Sequence, residues 1–153
     1  IPDSVVKRPN GTGDNETFQN SSAFGVVIDP SQDWANIGAK ISTNPSGFSK
    51  AYIYDFSDGS LVGDTDISAL SAGDTFKFGV SLSSGKQYSV VMDAGGSSWT
   101  VGRYDSGGSD NYPFTSSDGD LSVTGSIEEA AGFDSFGNDK YIYCFDEIGD
   151  VGF

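Results

Sequence analysis

The chain of 153 residues contains no histidine, one cysteine, one methionine and only eight lysines and arginines. Each shortage excludes something. Without histidine there is no Ser–His–Asp or Cys–His catalytic arrangement, and no zinc site built on imidazole. A single cysteine, Cys144, excludes an internal disulfide and a cysteine metal cluster. It stands in the apolar run YIYCF and reads as a small buried side chain. No run of 18 apolar residues is present to span a bilayer, and no secretory apolar core region is legible. The stretch GDTDISALSAGDT lacks the Gly-Lys-Ser/Thr step of a phosphate-cradling loop.

Carboxylates are what the sequence has in excess. Aspartate and glutamate number 22, and the formal net charge is −14. A surface of that sign repels nucleic-acid phosphates and anionic lipids, so neither nucleic acid nor membrane insertion is expected. The acids are mostly aspartate, and the remaining polar residues are largely Ser, Gly and Thr. Molar salt shortens the screening length to about 3 Å, so self-repulsion of this kind is tolerable in a halophile, which is the setting expected here; an acidic protein of ordinary seawater or cytoplasm is the alternative.

Strand signals dominate from Ala23 onward. AFGVVI (23–28), ANIGAKIS (35–42), AYIYDF (51–56), LVGDTDISAL (61–70), FKFGVSL (76–82), YSVVMD (88–93), WTVGRY (99–104), LSVTGSI (121–127), GFDSF (132–136) and YIYCFDEI (141–148) read as strands. Tyr52, Tyr54 and Phe56 fall on one face of theirs and Ile53 on the other. Phe76, Phe78, Val80 and Leu82 alternate with Lys77 and Ser81. Turns such as SDGS (57–60), SAGDT (71–75) and SSGK (83–86) separate the runs. Only EEAAG (128–132) hints at a helical turn. The expected fold is all-β: a jelly-roll-like antiparallel β-sandwich over 23–153, preceded by an extended arm over 1–22 whose Pro2 and Pro9 disfavour regular structure.

Catalytic carboxylate pairs are poorly supported. Glu128–Glu129 and Asp118/Asp120 are pairs, but a general acid needs a shielded cleft, and most acids here sit in Ser/Gly turns. The chain therefore reads as non-enzymatic. Calcium takes carboxylate and carbonyl oxygens, and residues 14–16, 55–60 and 118–120 offer them, yet none completes an EF-hand loop. No cofactor is required. A glycan is the ligand class that suits the remaining vocabulary. Trp99, Arg103, Tyr104 and Tyr112 combine aromatic rings with hydrogen-bonding groups, the pairing that stacks and fixes a sugar. The alternative is that Trp99 is core and Arg103 a surface charge. Trp34 poses the same choice. Asn10, Asn15 and Asn20 each open an Asn-X-Ser/Thr sequon, five residues apart within the arm.

The segment DISALSAGDTFKFGVSLSSGKQYSVVMDAGGSSWTVGRY (66–104) resembles β-sandwich modules of fibre, spike and turret proteins from tailed viruses of halophilic archaea. The similarity continues through YPFTSSD (112–118), closes on FDEI (145–148), and includes the opening IPDS. These are turn-and-strand motifs with no ligand residues to carry over, and the long shaft of a fibre protein is missing here. The resemblance implies a virion-surface protein, extracellular, associating with itself and with other virion proteins and able to adhere to host glycans. A carbohydrate-binding module of a secreted or cell-surface protein is the alternative.

Overall fold

The computed structural model describes residues 5–7, 13–18, 23–41, 49–71, 73–93, 99–105, 114–130, 136–137, 141–143 and 145–151. Among these residues regular structure is entirely strand. The strands are β1 (Val5–Lys7), β2 (Gly13–Phe18), β3 (Ala23–Pro30), β4 (Gly38–Ile41), β5 (Lys50–Asp55), β6 (Leu61–Asp66) and β7 (Thr75–Lys77). They continue as β8 (Tyr88–Asp93), β9 (Trp99–Asp105), β10 (Phe114–Thr115), β11 (Leu121–Ala130), β12 (Phe136–Gly137), β13 (Tyr141–Tyr143) and β14 (Phe145–Gly149).

Two antiparallel sheets form the sandwich. One runs β1-β14-β4-β7, and the other β10-β11-β3-β8-β5-β6, with β12 added against β11. Setting aside β2 and β9 to β13 leaves eight strands, which can be numbered one to eight along the chain. Their sheets then read 1-8-3-6 and 2-7-4-5. Strand one pairs with eight, two with seven, three with six and four with five, each antiparallel. A single long antiparallel ribbon wound around a core gives this order, which is that of a jelly roll.

The chain alternates between sheets, so inward side chains from both meet in one core. Ala39 and Ile41 of β4 and Phe145 and Ile148 of β14 belong to the same buried cluster as Val26 and Ile28 of β3, Ile53 of β5 and Val90 and Met92 of β8. Burial of each such aliphatic side chain contributes about 1.5–3 kcal/mol. The doubled valines Val26–Val27 and Val90–Val91 break the two-residue alternation, and burial on both faces explains them. Val27 and Val91 lie on the outer face of their sheet, yet are almost wholly buried. Tyr52, Tyr54 and Phe56, half-buried on that face, pack against them. Strands covered on both faces read as continuous apolar runs.

Several expectations change in detail. The strand expected over 76–82 stops at Lys77. Gly79 takes a φ of 73°, its N–H bonded to Asn36 Oδ1, and the chain crosses toward the other sheet. The inward alternation survives the break, with Phe78 and Leu82 buried and Phe76 edge-on to Phe78 at 5.1 Å. The helical turn suggested at EEAAG is overturned. Residues 128–130 finish β11, Ala130 pairs with Ala23, and a register shift between Ile127 and Ala130 absorbs the two glutamates. The run 141–148 divides into β13 and β14, which belong to different sheets. Cys144 at the division lies outside the described residues.

Two segments of the arm are regular after all. β2 pairs along its whole length with β9, and β1 pairs with β14. Both lie along the chain's own domain. β1 is weakly held. Ordering three residues costs about 1–2 kcal/mol each in backbone entropy, and Val6 is a single buried anchor giving about 1.5–3 kcal/mol in return. The three-residue ladder to β14 makes up the balance.

Candidate functional site

Five of the described acidic side chains, Asp55, Asp58, Asp66, Asp74 and Asp118, are engaged locally. Asp55, Asp58 and Asp66 each stand two residues before a serine, and all three form the same clasp. Each Oδ1 accepts both the backbone N–H and the hydroxyl of that serine: Ser57 at 3.0 and 2.7 Å, Ser60 at 2.9 and 2.7 Å, Ser68 at 2.9 and 2.6 Å. Asp118 Oδ1 accepts Ser116 Oγ at 2.8 Å and the Asp120 N–H at 3.1 Å. Asp74 Oδ2 accepts the Ser71 N–H. The Asp55, Asp58, Asp66 and Asp118 contacts are Asx-type turns, in which the carboxylate replaces a backbone acceptor, whereas Asp74 reaches back to an N–H three residues earlier.

Asp55 is the buried case. Besides its Ser57 clasp it meets Lys86 Nζ at 3.3 Å. The Ser57 hydroxyl, the Ser57 N–H and Lys86 together hold its carboxyl below the usual aspartate range, against the opposing effect of burial. Asp66 is also lowered, by the Ser68 hydroxyl and N–H and by the charge of Lys50. A depressed carboxyl stays ionised and does not donate a proton, which is the wrong direction for a general acid. Among the described residues, no three acidic or sulfur ligands converge on one point. The 55–60 loop, one of the calcium candidates, uses Asp55 and Asp58 to cap its own turn.

The residues expected to bind a glycan are dispersed along one ladder. Trp99, Arg103 and Tyr104 lie on β9, the middle strand of a small third sheet, β13-β9-β2. Trp99 pairs with Phe18, Arg103 with Asp14 and Tyr143, and Tyr104 with Gly13 and Ile142. Positions 99 and 103 are about 13 Å apart along an extended strand, and position 104 has the opposite parity. Tyr112 lies outside the described residues, as do Asn10 and Asn20. Asn15 sits within β2, opposite Gly102. Trp34 belongs to the core: it is 8% exposed and bridged to Leu82 by two backbone hydrogen bonds of 2.9 Å.

A second aromatic row stands on the outer face of the six-strand path. Tyr52, Tyr54 and Phe56 are half-buried and pack against Val27 and Val91. The two tyrosine rings stack at 5.8 Å. Across the ladder on β6, exposed Asp64 faces Tyr52, and Leu61, 51% exposed, faces Tyr54. Apolar rings beside a solvent-facing carboxylate are the components of a recognition surface. The Tyr-x-Tyr-x-Phe spacing is visible in the sequence, but without the sheet order nothing distinguishes an outer row from a core row.

No protein-family model matches the chain, and no curated protein matches it. A solved structure titled "Structure of infectious bursal disease virus Gt strain" is similar over 97% of this chain at 12% identity, with a TM-score of 0.22. The chain spans 36% of that protein's length, and a likeness at that score carries no weight for fold or function.

Proposed function

We propose that this chain is a non-enzymatic virion-surface protein of a virus infecting a halophilic archaeon. It would be displayed extracellularly as a capsid decoration, turret, spike or fibre subunit, in contact with copies of itself and with other virion proteins. The observation that carries this reading is the wound eight-strand order, an architecture used by viral capsid proteins and also by lectins. Fold alone does not fix function. Two further features point the same way: the turn-and-strand resemblance over 66–104, and carboxylates occupied in clasping turns. Mass spectrometry of density-gradient fractions from a producing culture tests the proposal. The expected result is this polypeptide banding with intact particles at many copies. Its confinement to the soluble or envelope fraction overturns the virion reading.

The outer aromatic row beside Asp64 favours a second reading, a carbohydrate-binding module. The isolated domain would then bind glycan in solution. Trp99→Ala and Tyr52→Ala separate the two aromatic sites: the change that abolishes binding marks the one in use. Binding that survives both removes both. Occupied sequons at Asn10, Asn15 or Asn20 would appear as added mass on arm peptides.

A further inference from the structure

From the pairing of β1 we infer that the arm is an exchangeable strand: in the assembled state Val5–Lys7 of one copy pairs with β14 of the next. This rests on the proposal that the chain assembles with copies of itself, and it names the contact.

Three observations on different footings carry it. The first is local. β1 is three residues long, pairs with β14 alone among the described strands, and places Val6 in the space between the two sheets. Beside Val6 a recess remains, lined by Val26, Val123, Phe145 and Ile148, with Asp146 and Glu147 also on its wall.

The second observation is topological. β1 is the first strand of the wound ribbon and β14 the last, so taking β1 away leaves the other seven strands paired as before. A strand from a second copy restores the same ladder and the same buried valine. The exchanged and unexchanged contacts are equal in kind, and protein concentration decides between them, as in other domain swaps.

The third observation is charge. Two copies each at −14 repel. The first twelve residues depart from that sign, with Lys7 and Arg8 against a single acid, Asp3. The remaining residues hold six cations and 21 acids. Lys7 stands in register with Glu147, next to Asp146 in the same strand. A cationic arm reaching an acidic strand gives an attraction that the two bodies lack.

Directed disulfide trapping tests the inference in the full chain with Cys144→Ser. One preparation carries Lys7→Cys. A second, labelled with heavy nitrogen, carries Glu147→Cys. Residues opposed across an antiparallel ladder lie within disulfide range. The two are mixed where the wild type assembles, and then oxidised. The expected product is a disulfide joining a light chain to a heavy one, its share rising with concentration. Adding Val6→Asp to the light chain should reduce that product about tenfold, equivalent to about 1.4 kcal/mol; an unchanged yield means the groove is not used. If only the double variant Lys7→Cys/Glu147→Cys crosslinks, and only within one chain, the arm stays on its own domain and the inference fails while assembly stands. Crosslinking in neither case removes the β1–β14 contact itself. Wild type that sediments as a monomer throughout removes the assembly proposal and the inference together.

Discussion

Ser89 is the second residue of β8, a central strand, with Val27 and Tyr54 as its cross-strand neighbours. Its hydroxyl is fully buried and has no hydrogen-bond partner among the described residues. A buried unsatisfied polar group costs about 1–3 kcal/mol, so Ser89→Ala should stabilise the fold by about 1 kcal/mol in urea unfolding. A loss of stability would mean that the hydroxyl is bonded. Asp66 behaves in the opposite way, because its carboxylate is used. Its native pKa is lowered, chiefly by the Ser68 hydroxyl. The stability this gives is fully present above the unfolded value of about 3.9 and is lost as pH falls through the lower native value. Melting temperatures of wild type and Asp66→Asn should therefore differ by a constant amount near neutrality and converge below about pH 4. A difference that persists at pH 2 would show that the charge of Asp66 is irrelevant.

At the scale of the element, β3 shows what the sequence discloses and what it withholds. The run AFGVVI marks a strand, and its valines mark burial. Gly25 in its midst looks like a weak point, but the sheet explains it. A Cβ at position 25 would collide with the backbone of Val90 on β8, across the ladder. Gly25→Ala should destabilise by about 1–3 kcal/mol, with the loss visible in the denaturation midpoint and the slope unchanged. An unchanged midpoint would mean that β3 and β8 are not so closely paired. Strands β3, β5, β8 and β11 were legible because alternation or doubled valines recorded their burial. β1 and β2 were not, since VVK is too short to show a period and GDNETF is too polar. The division of 141–148 between two sheets was also hidden, because an apolar run carries no mark of where a chain changes layer. The Asp-x-Ser clasps could have been read from spacing alone, as each places a short acceptor two residues before a donor pair. The outer aromatic row required the strand order.

For the molecule as a whole, the charge of −14 sets the response to solvent. Raising salt from 0.1 to 1 M shortens the screening length from about 10 to about 3 Å. The melting temperature should climb by about 2–4 °C for each kcal/mol of repulsion removed. A melting temperature indifferent to salt up to the molar range would remove the halophilic proposal. Acidification toward the isoelectric point near 4.1 relieves the same repulsion, so absolute stability should first rise on lowering pH and then collapse. The wound order has a mechanical consequence as well. Val5 and Gly149 are direct partners at the same end of the β1–β14 ladder. A pull applied between them opens that ladder like a zipper, one rung at a time, at low force. A pull along the axis of β3 must instead shear it past β8 and β11, with many rungs loaded together. The same domain is therefore soft along one axis and stiff along another, and the direction of load decides whether it yields.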